Sequence, residues 1–166
     1  MSIRICIEKE SIKFSCSHFT IFGPLEAEAL HGHNYYVTAE FGLREIDPHL
    51  GMAFDFNLLK PLLKEEVDKL DERVLIPKNS PFLKVEKTFD QIKVSHGKKS
   101  YAFPKEDVLE LDTVNITSEE LARDFAKRIQ SRLSEHKEFA RISSLTIGIQ
   151  ETRGQTVFYD MKLELA

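Results

Sequence analysis

Two stretches near the start of the chain alternate apolar and polar residues with period two, the repeat of a half-buried strand. Residues 3 to 19 form the first. Ile3, Ile5 and Ile7 alternate, and Ile12, Phe14, Cys16 and His18 alternate after an interruption near Glu8–Ser11 that predicts a bulge or a bend. Residues 31 to 43 form the second, with Tyr35, Val37, Ala39 and Phe41 on one face and Asn34, Thr38 and Glu40 on the other. The linker 19 to 30 carries the turn signal Gly23-Pro24. It continues into Leu25-Glu-Ala-Glu28-Ala-Leu30, a possible helical turn that leaves Glu28 on a mobile-looking segment.

The period then changes. Asp55 is a candidate helix N-cap, followed at helical spacing by Phe56, Leu59, Leu63, Val67 and Leu70. Pro61 conflicts with a helix capped there, so the helix is expected to be kinked or to start near Asn57. It should stop around Leu70-Asp71, before Val74-Leu-Ile76 and Pro77. Residues 77 to 116 are the least regular part, with a small hairpin expected around His96-Gly97-Lys98 and His96 read as a turn residue. Thr117-Ser-Glu-Glu120 has capping-box spacing, and Leu121, Phe125, Ile129 and Leu133 place a helix over residues 118 to about 136. His136 suits the C-terminal end of that helix dipole. A second hairpin closes the pattern. Leu145, Ile147, Ile149 and Glu151 alternate, Arg153-Gly154 turns, and Val157, Tyr159, Met161, Leu163 and Leu165 alternate. Strand, strand, helix, insertion, helix, strand, strand predicts an α+β fold: one domain over residues 1 to 166, with helices on one face of an antiparallel sheet.

Composition narrows the function. The net charge of -4 and the lack of a Lys/Arg block argue against extended nucleic acid, while leaving room for a small anionic ligand. No apolar run reaches the length of a membrane span. The first residues carry charge too early for a signal peptide. Two cysteines without framework spacing suit a reducing, cytoplasmic setting.

Three of the six histidines lie within residues 18 to 33. His31 and His33, two apart, share a face of the second strand, and His18 ends the buried face of the first. Antiparallel pairing brings the three imidazoles together, and three imidazoles with an open position make a catalytic zinc site. The alternative is a set of satisfied core histidines. Glu151 falls on the apolar face of its strand, where a carboxylate needs either an Arg/Lys partner or a ligand.

In these residues the chain resembles the 6-pyruvoyltetrahydropterin synthase and 6-carboxytetrahydropterin synthase family. The likeness rests on Phe14-Ser-x-x-His18, His31-Gly-His33-Asn34-Tyr35, Gly51-Met-x-x-Asp55-Phe56-x-x-Leu59-Lys60, Leu70-Asp71, Thr117-Ser-Glu119 and Glu151-Thr152. It spans nearly the whole chain outside residues 77 to 113. The resemblance implies the tunnelling fold, a four-stranded antiparallel sheet with two helices on one face in ββααββ order, assembled into homo-trimers or homo-hexamers. It implies zinc on His18, His31 and His33. It also implies a pterin substrate, 7,8-dihydroneopterin triphosphate, held by Glu151 with Thr117 beside it.

Two departures bear on the activity implied. Where family members carry a catalytic Cys, four or six residues before His31, this chain has Ala27 and Leu25. A subgroup has a Glu three residues before that His. Glu28 fits it, and the subgroup is associated with cleaving the side chain to 6-hydroxymethyl-7,8-dihydropterin, a folate precursor, with Glu28 as catalytic base. The second departure is Glu72, where most of the family has a His after Leu-Asp. The alternatives are 6-pyruvoyl- or 6-carboxytetrahydropterin synthesis, the latter feeding the deazapurine (queuosine) branch, or a pterin- and metal-binding homologue without catalysis. Cys16 is either a buried thiol or a substitute nucleophile or ligand.

Overall fold

A computed structural model describes residues 3–164. Met1, Ser2 and the last expected strand position, Leu165, lie outside the described residues. The first hairpin forms as expected from β1 (Arg4–His18) and β2 (His31–Leu43), paired antiparallel. Its register slips between Glu8↔Thr38 and Lys13↔Tyr36, where β1 advances five residues and β2 two. An odd number of extra residues moves the buried parity from Ile7 to Ile12. That switch puts Phe14, Cys16 and His18 on the core face, directly opposite Tyr35, His33 and His31.

The second hairpin is β8 (Ile142–Thr152) with β9 (Gln155–Lys162), turning through Arg153 and Gly154, whose φ of +86° is the left-handed conformation that favours glycine. β8 pairs antiparallel with β2, so β1-β2-β8-β9 is the four-stranded antiparallel unit that the pattern predicts. The sheet does not end there. β3 (Arg73–Pro77) lies parallel to β1 and β7 (Val108–Leu111) lies parallel to β3, which gives six strands in the order β7-β3-β1-β2-β8-β9. The expectations of four strands and of ββααββ order are corrected accordingly. The free edge of β1 carries backbone groups that need partners, and Arg73 and Val74 meet it beside Cys16 and Ser17, while Leu75 and Ile76 run on along β7. Parallel strands are joined by long crossovers rather than tight turns, so no hairpin signal marks them in the sequence.

Both helices pack on the core face. α1 (Leu59–Asp68) lies on β1, and α2 (Ser118–Ser134) lies on β8 and β9. Asp55 caps a short 3-10 turn at Phe56–Leu58 by accepting the Asn57 N–H at 2.9 Å. Pro61 therefore falls in the first turn of α1, where an N–H has no helical acceptor to lose. Thr117 caps α2 by accepting the Glu120 N–H at 3.3 Å. Between the helices, Glu66 is 2 % exposed and accepts from Lys69 Nζ (2.5 Å) and Arg132 (3.2 Å), tying α1 to α2.

The insertion folds as a separate three-stranded antiparallel sheet, β4 (Lys84–Lys87), β5 (Gln91–His96) and β6 (Lys99–Pro104). It has no core of its own. Ile92 and Val94 pack with Phe19 and Ile21 of the linker and Ile76 of β3, so the small sheet and the linker share one apolar cluster. The linker, expected to be mobile-looking, is thus covered on one side.

Candidate metal centre and active-site cleft

The β1–β2 register sets His18 directly opposite His31, and His33, two positions after His31, shares its face. The ring centroids of His18 lie 4.8 Å from those of His31 and 5.5 Å from those of His33. Glu151 reaches the same place from β8, one residue past the Tyr36↔Gln150 pair. One donor atom from each of His18, His31, His33 and Glu151 falls within 4.8 Å of the others.

Hydrogen bonds set which nitrogens face the group. A carbonyl only accepts, so His18 Nδ1 carries a proton and donates to the Ile116 carbonyl at 3.1 Å. His31 Nδ1 likewise donates to Ala29 at 2.8 Å. A neutral ring protonated at Nδ1 carries its free lone pair on Nε2, the form a metal takes. Tyr35, fully buried, donates its hydroxyl to His18 Nε2 at 3.0 Å. Burial above all pushes the Tyr35 phenol far above its ordinary value, so it remains a donor. Burial also pushes the His18 imidazole below its ordinary value, by more than the Ile116 carbonyl lifts it. His18 is therefore neutral near pH 7, and the donor chemistry of these residues fits a divalent metal.

Glu151 meets His33 Nε2 at 3.0 Å and accepts from Ser118 Oγ at 3.1 Å. Among the described residues it has no Lys or Arg partner; His33 and Ser118 are the groups it meets. Glu28 lies at the other side of the group, its carboxylate 3.9 Å from His31 Nε2. It accepts the Thr20 N–H at 2.9 Å, while its own N–H donates to the Thr20 carbonyl at 3.0 Å. Burial pushes the Glu28 carboxyl up, but the Thr20 hydrogen bonds and the nearby His31 and His18 outweigh it and leave it below its ordinary value. Glu28 is a carboxylate at neutral pH.

His18, Glu28 and Glu151 open onto a cleft of about 470 Å³, lined also by Thr20, Phe22 and Thr117, with Ser118, Glu119 and the start of β9. Three carboxylates and no Lys or Arg line it. Thr117 is part of this lining. Cys16 does not join the donors. Burial, with Glu151 and Asp71 adding, pushes its thiol up to about 12, and the thiolate that a nucleophile requires is scarce. Glu72 lines a second cleft, with Cys16, His33, Arg73 and Asp107. Its φ of +56° is unusual for a residue with a side chain, and its N–H donates to the Ser15 carbonyl at 2.7 Å. Thr20, Ser118 and the carbonyls of Ile116 and Ala29 escape sequence reasoning. Their role is to accept or donate one hydrogen bond, which leaves no spacing or composition signal.

The site is thus a His trio, His18 buried and His31 and His33 half-buried, beside a carboxylate at the end of a four-stranded antiparallel unit. The chain belongs to the 6-pyruvoyl tetrahydropterin synthase family, whose model matches residues 6–162. A protein of Methanocaldococcus jannaschii named "Putative 6-carboxy-5,6,7,8-tetrahydropterin synthase" is 33% identical over 155 residues, 93% of each chain. A Pyrococcus horikoshii protein of the same name is 32% identical over 136 residues, 78% of each chain. Among solved structures, the 6-pyruvoyl tetrahydropterin synthase of Plasmodium falciparum superposes with a TM-score of 0.89 at 27% identity, covering 98% of this chain and 99% of that one.

Proposed function

We propose that the protein is a zinc-dependent lyase that cleaves the side chain of 7,8-dihydroneopterin triphosphate to 6-hydroxymethyl-7,8-dihydropterin. The observation that carries this reading is Glu28, a carboxylate hydrogen-bonded into place beside the His trio where a catalytic Cys is absent. In the similarly folded Plasmodium vivax enzyme a glutamate is described as the catalytic residue; at 22% identity that likeness concerns the fold, and the role of Glu28 rests on the geometry here.

His18, His31 and His33 would hold the metal, with Glu151 close enough to join them or to meet the pterin. When bound, zinc lowers the pKa of a coordinated hydroxyl and neutralises charge that develops on its oxygen. A base with a depressed pKa, such as Glu28, needs an acidified hydroxyl, and the two features match. Glu28 takes the proton from the hydroxyl on the second side-chain carbon. The bond between the first and second carbons breaks, and its electron pair moves toward the first carbon and the conjugated ring. That carbon then takes a proton, and the products are the hydroxymethyl pterin and a triphosphorylated two-carbon aldehyde. Glu151 presents two carboxylate oxygens to the amino group and ring N–H of the pterin, a bidentate match. Thr117 and Ser118 form the wall beside it. The carboxylates that line this cleft suit the N–H donors of the ring.

A second reading is 6-carboxytetrahydropterin synthesis, favoured by the names of the archaeal relatives. Mass analysis of the products from 7,8-dihydroneopterin triphosphate separates the two. The hydroxymethyl pterin is expected; a carboxylated product, or none, overturns the proposal. The open edges of β7 and β9 further suit assembly into trimers or hexamers, which light scattering tests.

A further inference from the structure

The turn of the insertion lies against the loop that carries Glu28 at three successive points. His96, 3 % exposed, donates from Nε2 to the Gly23 carbonyl at 2.7 Å. It is a buried clamp rather than a turn residue that faces solvent. Gly97, with φ of +56°, forms the tight turn between β5 and β6 and lies against the backbone of Leu25. Lys99 then places its ammonium between two consecutive carbonyls, 2.6 Å from Ala27 O and 2.6 Å from Glu28 O.

We infer that Lys99 is a positioning residue for Glu28, setting the direction of its side chain through the main chain; this rests on the reading of Glu28 as the base. The carbonyls of Ala27 and Glu28 belong to the two peptide planes that flank the Glu28 Cα. Holding both planes fixes φ and ψ at that Cα, and with them the direction of its Cβ. The Thr20 N–H then fixes the far end of the same side chain at 2.9 Å. Without Lys99, the loop keeps its apolar contacts through Ile21 and Ala27, and the Glu28 N–H still holds the first plane through the Thr20 carbonyl at 3.0 Å, but among the described residues the Glu28 carbonyl of the second plane has no other hydrogen-bond partner. A general base must stand within hydrogen-bond reach of the proton it takes, and a misplacement of about 1 Å costs on the order of a hundredfold in rate. The insertion therefore belongs to the catalytic apparatus, although it contributes no side chain to the cleft.

The test is a double-mutant cycle. Lys99→Met is expected to lower kcat by roughly tenfold to a hundredfold, with KM and metal content nearly unchanged, and Lys99→Arg is expected to recover part of the loss. In a Glu28→Gln background, Lys99→Met should cost nothing further, because the group it positions is already disabled. Hydrogen exchange of the amides at residues 27–30 supplies a readout independent of turnover, and it should quicken in Lys99→Met. Unchanged kcat and unchanged exchange in Lys99→Met would overturn the inference. So would an equal fractional loss in both backgrounds, which would mark Lys99 as acting elsewhere. If Glu28→Gln itself keeps full turnover, the base reading has failed, and the inference falls with it for that separate, recognisable reason.

Discussion

His18 and Ile116 are joined by one hydrogen bond, Nδ1 to carbonyl at 3.1 Å, across 98 positions of sequence. The bond comes from the segment leading into α2 and decides which nitrogen of His18 faces the cleft. His31 is set the same way by Ala29. Alanine at His18, His31 or His33 is therefore expected to remove most bound zinc, measured as metal per chain after purification. Full metal content in all three variants would exclude this site.

The same buried ring makes the metal-free protein sensitive to pH. The His18 pKa is depressed in the folded state, so below about pH 6.5 the unfolded chain binds more protons than the native one. His18's contribution to stability is then complete above that pH and is lost as the pH falls through the depressed native value. Urea denaturation of the metal-free protein should show a lower midpoint at pH 5.5 than at 7.5. The drop should be smaller in His18→Gln, which has nothing to titrate.

Glu28 and Glu151 should fail differently. Glu28→Gln keeps the size and the hydrogen-bonding capacity but accepts no proton. It should lower kcat about a hundredfold or more and leave zinc and pterin binding largely intact. Glu151→Gln sets one donor against a ligand that offers two. That mismatch costs roughly 1–3 kcal/mol and should appear mainly as weaker binding of pterin analogues in a direct titration.

Cys16 offers a control. With its thiol pushed up to about 12, it should resist alkylation at pH 8 in the native protein. Cys6 is exposed and should react, and denaturation should release the second thiol. Cys16→Ala is expected to retain turnover. A large loss of kcat would bring back a thiol mechanism.

Glu66 tests the packing of the helices. Removing it takes one carboxylate from Arg132, at 3.2 Å, and from Arg128, at 3.9 Å, while Arg132 keeps Glu65 at 2.8 Å and Arg128 keeps Asp124 at 2.6 Å. Both guanidinium groups keep some contact with water, so Glu66→Ala should cost about 2–3 kcal/mol, less than a fully buried pair. Thermal or urea unfolding at pH 7 reads the loss, and Glu66→Leu should recover part of it.

The antiparallel unit and the three histidines could be read from the chain because both depend on parity. Tyr35, Val37 and Ala39 report which face of β2 is buried, and His31 and His33 share that face. Glu151 announces itself as a carboxylate among Leu145, Ile147 and Ile149. What remained hidden has no period. β3 and β7 are five and four residues long, and their partners are distant in sequence. Lys99 and His96 act on carbonyls, which every residue carries. The Asp55 cap and the helix after it were legible, but the helix start was not, because a 3-10 turn intervenes before α1 and shifts Pro61 into a tolerated place.

The distance between Lys99 and the loop it holds also has a temporal side. The three imidazoles come from one local hairpin, which closes a short loop and so forms early as the chain emerges. The Ile116 carbonyl, the hairpin turn at Gly97 and Glu151 all arrive later. A nascent chain thus acquires the means to capture a metal ion well before it can orient the carboxylate that would use it. Metal uptake and catalytic competence should then be separable steps of maturation, with the first able to guide the second.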